Sequence, residues 1–287
     1  MRRRLGLVGA TLLFVFVNPG IALGHGIGGR LDLPVPVTYF VAGAGVVIVV
    51  SFVALAVLWP EPRLQDGPRH DPIRLTIPRR GLLPVLGVFG LLLVIGQVVV
   101  AALGLTTDPS RPSIAPVLVW VVFWLVVPFA GAVVGDWYTD LNPWRSLASA
   151  LRIGKAERLW LLGRVGVYPA AALLLAFTWL ELISPDSGSA LTLGLAATAY
   201  TLVLVTAMAY AGRETGLAVF DAFTPYNRLI SSLSPLGRRP DGRLAWRGWL
   251  RALPVLPEWP GLAVFVVVAI GTVTYDGASG TTWFKSA

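Results

Sequence analysis

Two carboxylic acids beside apolar segments are the first candidates for chemistry, because charge is costly inside a bilayer. Glu181 follows Trp179 and Leu180 within such a segment. We therefore expect it about one helical turn below a membrane surface. Asp276 lies on the same side, close to the end of the last apolar segment. Glu181 and Asp276 are the candidate catalytic residues; the alternative is that Glu181 is a rim carboxylate in contact with water.

A metal site is the second candidate, because His25 would become the N-terminus after cleavage behind Gly24. An N-terminal histidine offers an amine and an imidazole to one metal, and imidazole suits copper, zinc and nickel. The predicted ligands are His25, Asp32 and Glu181, and the cofactor they would hold is a divalent copper or zinc ion. Such an ion would lower the pKa of a bound water to about 7. The alternative is a solvated histidine.

A third group of polar residues lies on the other side of the predicted membrane, beside the ends of apolar segments. It comprises Asp136, Asp140, Asn142, Arg145, Arg213, Glu214 and Asp221. We predict ion pairs at the membrane interface between Arg213 and Glu214 and between Arg145 and Asp140. The functional alternative is a cytoplasmic mouth that guides a charged solute.

The composition of the chain defines the class of fold that must position these residues. Of 287 residues, 55 % are hydrophobic and 13 % are charged, whereas a soluble domain carries about 25 % charged residues. Disorder and a water-soluble globule are both disfavoured, and the absence of cysteine excludes disulfides and cysteine-based metal sites. Six segments approach or reach the length that crosses a hydrocarbon core of ~30 Å: 37–58, 82–104, 114–135, 165–184, 190–212 and 259–275. The sequence thus predicts an all-α, polytopic membrane helix bundle.

The N-terminus is typical of a secretory signal peptide. Three arginines precede an apolar run over 5–17, which is too short to span a bilayer. Ala22 and Gly24 place small residues at the −3 and −1 positions of a cleavage site. We expect a cleaved signal peptide over 1–24 and a single transmembrane domain over 25–287; an uncleaved signal anchor is the alternative.

The basic residues predict the orientation of the chain. Of 23 lysines and arginines, 20 fall on the side of the N-terminal arginines, and the other side holds Arg30, Arg111 and Lys285. This bias predicts a cell-membrane protein whose mature N- and C-termini both lie outside. The basic blocks are short loops between spans, so nucleic acid is not an expected partner. The expected partners are the lipid bilayer and, as an alternative role, another membrane subunit.

Two loops on the basic side carry helical apolar stripes, which predict two interfacial amphipathic helices. The stripes comprise Trp137, Leu141, Trp144, Leu147 and Leu151, then Leu217, Phe220, Phe223, Asn227, Ile230 and Leu233. Both loops contain a similar pattern, Leu-Asn-Pro-Trp over 141–144 and Phe-Thr-Pro-Tyr over 223–226. Asn or Thr before Pro is typical of a helix start. The alternative is a parallel internal repeat of the kind found in transporters.

Several blocks resemble a group of bacterial membrane proteins labelled fenitrothion hydrolase. They are HGIGGRLDLPVP after the signal, GDWYTDLNPWR, TWLELISP, GRETGLAVFDAF, LSPLGRRPDGRLAWR and GTVTYDGASGTTWF. The resemblance implies an enzyme that hydrolyses phosphoric triester bonds and releases a phenol. Members of that family continue past the last block with further spans. We therefore expect this chain to be a short member or C-terminally truncated.

Three functions follow as hypotheses. The first is metal-assisted hydrolysis of an apolar phosphotriester at the outer rim. The second is a permease for a small solute, using the repeat and the acidic groups on the basic side. The third is copper handling or assembly of a partner membrane protein through His25. The sequence contains no nucleophile elbow, Walker loop or His-rich zinc motif that would support a different enzyme class.

Overall fold

The computed structural model describes residues 37–58, 71–72, 81–103, 113–154, 156–238, 244–253, 256, 258–279 and 284. The chain divides into two compact units, residues 1–66 and 67–287. The first unit contains helix α1 (Val37–Leu58). The second unit contains β1 (Asp71–Pro72), α2 (Leu82–Ala102), α3 (Ile114–Val134), α4 (Tyr138–Leu141), α5 (Pro143–Ala150), α6 (Trp160–Arg164), α7 (Tyr168–Leu182), α8 (Ala190–Ala211), α9 (Arg213–Phe220), α10 (Phe223–Ser232), β2 (Leu236–Arg238), β3 (Leu244–Trp246) and α11 (Leu262–Ser279).

The predicted all-α fold is confirmed, and each of the six expected spans is a helix. Within the described residues, four helices are long and apolar enough to cross a membrane, namely α2, α3, α8 and α11. Shorter apolar helices cover Gly45–Val57 of α1 and Tyr168–Leu182, which is α7. Many valine, leucine and phenylalanine side chains of these helices are exposed. A membrane protein presents such a surface to lipid. The signal peptide predicted over 1–24 lies outside the described residues.

The ends of the spans follow local sequence signals. The hydroxyl of Ser113 accepts a hydrogen bond from the Ala115 N–H at the start of α3, and the Ser189 hydroxyl caps α8 by accepting from the Thr192 N–H. Gly135 ends α3 and Gly212 ends α8, each with a left-handed φ, 88° and 96° respectively. Glycine adopts this conformation without steric cost. Residues Val117–Val126 of α3 have π-helical hydrogen bonding.

The helices of the second unit share two ends, which we call the basic end and the far end. At the basic end, α3 and α8 finish while α7 and α11 begin. There the Val167 N–H donates to Pro260 O at 2.8 Å, and the Arg158 N–H donates to Ala211 O at 2.8 Å. At the far end, the Trp120 indole donates to Ser187 O at 2.9 Å and ties α3 to the α7–α8 loop.

Helices α9 and α10 form a hairpin that enters the bundle halfway. α9 turns back along α8 from Gly212, and a Cβ on Gly216 would lie 2.8 Å from Met208 Cα. The tip of the hairpin lies near the midpoint of α8, where the Ala222 N–H donates to the Tyr200 hydroxyl at 2.9 Å. α10 then returns along α3 to the basic end, where the Ser234 hydroxyl donates to Val133 O at 2.7 Å.

Helix α5 is a second half-length element. It starts at the same depth in the bundle as the tip of the α9–α10 hairpin. The Trp144 indole donates to the Thr201 hydroxyl, near the midpoint of α8, at 3.0 Å. The chain leaves α5 at the basic end, where Gly154 O accepts from the Arg213 N–H at 3.0 Å. α4 and α5 pack on α2, and Gly87 lies directly against the Leu141 carbonyl.

The two predicted amphipathic helices therefore exist, but their apolar stripes face protein. Trp144 is 4 % exposed, Phe223 is 3 % exposed and Leu217 is fully buried. Most residues of the two stripes therefore contact the spans, because both segments fold back into the bundle rather than lying along its end. Leu151, the last residue of the first stripe, is 57 % exposed.

A three-stranded antiparallel sheet accompanies this arrangement, with the strand order β1-β3-β2. Trp246 of β3 pairs with Asp71 of β1 and with Leu236 of β2. The sheet leads to Arg247, whose guanidinium donates to the carbonyls of Ser231 and Ser234 at the C-terminus of α10. A cation at this position complements the partial negative charge of a helix C-terminus.

The close approach of α2 to α4 yields a stability prediction. A Cβ added at Gly87 would collide with the Leu141 carbonyl oxygen. We expect Gly87→Ala to destabilise the protein by about 1–3 kcal/mol, the usual cost of overpacking. Its apparent melting temperature, followed by tryptophan fluorescence in detergent, should fall.

Gly90→Ala is the matched control, since a Cβ at Gly90 of the same helix would meet nothing within 4 Å. Its melting temperature should stay unchanged or rise, because alanine is the better helix former. Equal melting temperatures for the two variants would contradict the described packing of α2 on α4.

Candidate functional site

The buried carboxylate of Asp221 lies where the two half-length elements meet. It is fully buried at the tip of the α9–α10 hairpin, and five groups donate hydrogen bonds to it. Oδ1 accepts from the Tyr200 hydroxyl at 2.7 Å and from the Phe223 N–H at 3.1 Å. Oδ2 accepts from the hydroxyls of Thr224 and Tyr138 and the amide of Asn142, at 2.6, 3.3 and 3.0 Å.

This arrangement suits a negative charge. Five donors face the two oxygens, which an ionised carboxylate requires because it has no proton to donate. Asp221 lies directly before α10, whose N-terminus carries a partial positive charge. The carboxylate thereby satisfies the first backbone N–H of α10, while Tyr200 accepts the preceding N–H from Ala222.

Asn142 joins the N-terminus of α5 to the same carboxylate. Its Oδ1 accepts from the Arg145 N–H at 3.0 Å and caps α5, while its Nδ2 donates to Asp221. Nδ2 also lies 3.4 Å from the Thr224 hydroxyl. The Asn-Pro and Thr-Pro pairs of the repeated sequence pattern thus touch each other. The predicted helix start at Asn142-Pro143 is confirmed, whereas the second helix begins at Phe223, two residues before Pro225, with Ala222 rather than Thr224 at its N-cap.

A shell of aromatic rings encloses the carboxylate. Phe223 lies at its centre, with ring centroids 4.5 Å from Phe123, 4.9 Å from Phe177 and 5.8 Å from Tyr200. Trp144 stacks on Phe223 at 6.4 Å. Apolar rings keep water from the site and strengthen the hydrogen bonds inside it.

The remaining polar residues predicted on the basic side form a second layer towards the basic end. Arg145 pairs with Glu214 at 2.6 Å, and Arg213 contacts Glu214 at 3.1 Å. The predicted Arg213–Glu214 pair is confirmed. For Arg145, predicted to pair with Asp140, the structure shows Glu214 of α9 as an ion-pair partner.

The two acidic residues at the start of α4 have different positions. Asp136 accepts from the Thr139 N–H at 3.2 Å and from its hydroxyl at 2.7 Å. It thereby caps the start of α4 from an exposed position. Asp140 lies in the first turn of α4.

The candidate catalytic residues lie towards the far end. Glu181, near the end of α7, lies within electrostatic range of Asp276 on α11. Its carboxylate also faces the Trp124 indole and the Tyr226 ring of α10. Trp124 and Tyr226 stack on each other with ring centroids 4.8 Å apart.

The predicted metal ligands form no complete set within the described residues. His25 and Asp32 lie outside the residues that the structure describes. Among the described residues, no three His, Cys, Asp or Glu side chains come close enough together to hold a metal ion. Glu181 and Asp276 alone do not fit a copper or zinc site.

Comparisons of the sequence with models of protein families and with curated proteins, and of the fold with solved structures, found no match. The function must therefore be inferred from the site itself.

Removing the charge of Asp221 should destabilise the protein. In Asp221→Asn, an amide N–H₂ replaces one acceptor oxygen and faces donors. We expect a loss of about 2–4 kcal/mol, because buried donors are left without an acceptor. The apparent melting temperature in detergent reports this loss.

Asp136→Asn provides the control, because Asp136 is exposed and asparagine caps helices as well as aspartate does. Its melting temperature should remain within the error of the wild type. An Asp221→Asn variant as stable as Asp136→Asn would contradict the structural role of the carboxylate.

Proposed function

We propose that this protein is a membrane permease that carries a small polar or cationic solute past Asp221. The observation behind the proposal is the meeting of two half-length helices, α5 and α10, at one carboxylate near the midpoint of α8. Transporters place their binding sites between such interrupted helices, halfway through the membrane. An ionisable residue inside a membrane bundle also favours a transport site over a purely structural one.

The chemistry around Asp221 suggests the class of solute. A carboxylate, two phenol hydroxyls and one threonine hydroxyl offer oxygen atoms. Such a set favours a cation or a solute rich in hydrogen-bond donors. A solute that donates hydrogen bonds to Asp221 would replace those from the Tyr138 and Tyr200 hydroxyls. The carboxylate would therefore keep its hydrogen bonds during binding.

Both directions out of the site are closed by contacts that a moderate movement would break. Towards the basic end lies the Arg145–Glu214 ion pair, which links α5 to α9. Towards the far end lie the rings of Phe177 and Trp124, 5.1 Å apart. Movement of the α9–α10 hairpin relative to the spans would open one side or the other, as alternating access requires.

We further propose that the basic end faces the cytoplasm of a bacterial cell. The sequence predicts 20 of the 23 basic residues on one side of the membrane, and that bias supports this orientation. The Arg145–Glu214 pair then lies at the cytoplasmic entrance of the pathway.

Uptake into proteoliposomes tests the permease directly. We expect the purified protein to admit labelled methylammonium, a small cation, or glycerol, a neutral donor-rich solute, faster than protein-free liposomes do. Tyr200→Phe, which removes one hydroxyl that contacts Asp221, should slow this uptake by about tenfold. A hydrogen bond to a charged group contributes roughly 1.5–3 kcal/mol.

Tyr210→Phe is the matched control on the same helix, because Tyr210 is 51 % exposed and distant from Asp221 along α8. Its uptake rate should equal that of the wild type. If neither probe enters faster than into protein-free liposomes, the permease proposal is wrong for both solute classes. Equal uptake rates for Tyr200→Phe and Tyr210→Phe would show that the solute does not pass Asp221.

A second candidate function is the hydrolysis of an apolar phosphotriester at the far end. It is favoured by the electrostatic interaction of Glu181 with Asp276 and by the resemblance of the sequence blocks to the fenitrothion hydrolase group. Two carboxylates beside the lipid phase would meet a substrate that partitions into the bilayer, and a carboxylate there can orient an attacking water.

Phenol release from a dialkyl nitrophenyl phosphate tests this second candidate. We expect Glu181→Gln to lower the rate by at least about 100-fold, the usual contribution of a positioned acid or base. Asp186→Asn, which changes an exposed carboxylate in the α7–α8 loop, should keep the wild-type rate. Absence of nitrophenol release by the wild type, with added zinc or copper and without it, would eliminate hydrolysis.

A further inference from the structure

An open cleft of about 310 Å³ lies at the basic end, away from Asp221. It is formed by the last turn of α5, the segment that follows it and the start of α9. Its polar lining consists of Ser149, Arg152, Glu157 and Arg213. Two arginines, one serine and one glutamate therefore line a common space.

The carboxylate of Glu157 in this lining already accepts hydrogen bonds from the protein backbone. Glu157 accepts from the backbone N–H groups of Glu214 at 3.0 Å and Thr215 at 2.9 Å, which belong to the first turn of α9. Burial acts to raise the pKa of Glu157, but these hydrogen bonds and the nearby Arg213 outweigh it and lower the pKa. Glu157 thus balances the partial positive charge at the start of α9.

Arg213 is held in place at the cleft wall. Its Nη1 donates to the Ser149 hydroxyl at 2.8 Å, and its Nε contacts Glu214 at 3.1 Å. These contacts fix the guanidinium between α5 and α9. A fixed guanidinium presents its remaining N–H groups in the planar geometry that matches a phosphate.

Arg152 occupies a position that favours glycine. It follows α5 with a left-handed φ of 56°, and the Ile153 N–H donates back to Ala148 O at 3.1 Å. Helix ends of this type are usually glycine or asparagine, because a side chain makes the conformation unfavourable. The arginine is thus present at a cost in backbone strain, at a position that lines the cleft.

Exposed apolar and aromatic side chains lie close in sequence to the residues that line the cleft. Leu151 is 57 % exposed, Leu159 is 69 % exposed and Trp160 is 53 % exposed. The neighbouring Arg158 lies over the Tyr210 ring, 4.1 Å from its centroid. Tryptophan, tyrosine and arginine side chains mixed with leucine are typical of the zone where headgroups meet acyl chains.

We propose that this cleft binds the phosphate group of an anionic phospholipid. Arg152 and Arg213 donate to the phosphate oxygens, and Ser149 lines the same cleft beside Arg213. Leu151, Leu159 and Trp160 contact the upper part of the acyl chains. Basic pockets between membrane helices bind anionic headgroups by this chemistry. The assignment depends on the membrane location of the chain but not on the proposed transport activity.

Native mass spectrometry of the purified full-length protein tests the proposal. Samples receive phosphatidylglycerol or phosphatidylcholine, and the bound lipid is counted. We expect the wild type to retain phosphatidylglycerol preferentially. Arg152→Gly and Arg213→Gln should each reduce that retention by about fivefold, the contribution of one basic residue near an anionic surface.

Arg152→Gly is informative because glycine relieves the left-handed strain, so the variant should be at least as stable as the wild type. A loss of lipid in that variant cannot be attributed to unfolding. Arg164→Gln is the control, since Arg164 is an exposed arginine at the end of α6 outside the cleft lining. It should retain phosphatidylglycerol as the wild type does.

Three results would overturn the proposal. They are equal retention of the two lipids, unchanged retention in Arg152→Gly, and an equal loss in Arg164→Gln. Adding excess inorganic phosphate tests whether the cleft binds free phosphate rather than a lipid headgroup. If it displaces phosphatidylglycerol and binds in its place with the same dependence on Arg152, the cleft is a site for soluble phosphate and the lipid assignment is wrong.

Discussion

The backbone groups of an interrupted helix must be satisfied inside an apolar bundle, and the architecture of the second unit depends on this constraint. A helix that starts halfway along a span exposes N–H groups where no water is available to accept their hydrogen bonds. Here two such helices start side by side, and Asp221 with Asn142 supplies the acceptors. Asn142 caps α5, Asp221 accepts the first N–H of α10, and the hydrogen bond between the two side chains holds both helix starts together beneath the aromatic shell around Phe223.

Charged side chains also satisfy backbone groups at the start of α9 and at the end of α10. Glu157 balances the start of α9, and Arg247 binds the carbonyls at the end of α10. Each charge lies at the helix end of opposite partial charge. Acidic and basic residues are few in this chain, and several of them are placed at helix ends rather than in surface ion pairs. The scarce charge is therefore concentrated where interrupted helices need it.

The sequence predicts the spans well and the site only in part. Hydropathy defines the six helices to within a few residues, because lipid-facing segments must be apolar along their whole length. The Asn-Pro pair predicts the start of α5, and Asn142 and Asp221 are among the candidate residues. The contact between them is not predictable, because an amphipathic stripe fits a membrane surface and a protein wall equally well. Tyr138 could not be recognised as a partner of Asp221, since its hydroxyl reaches the site only through the fold of α4.

The shortness of α5 and α10 has a consequence for biogenesis. Helices of 8 and 10 residues are marginal in isolation and too short to insert into a bilayer independently. The spans, in contrast, can insert one at a time and associate afterwards. We therefore expect the half-length helices to dock late, once α2, α3 and α8 have formed walls for them. Completion of the hydrogen bonds around Asp221 would then be the last step of folding, after the spans have entered the membrane.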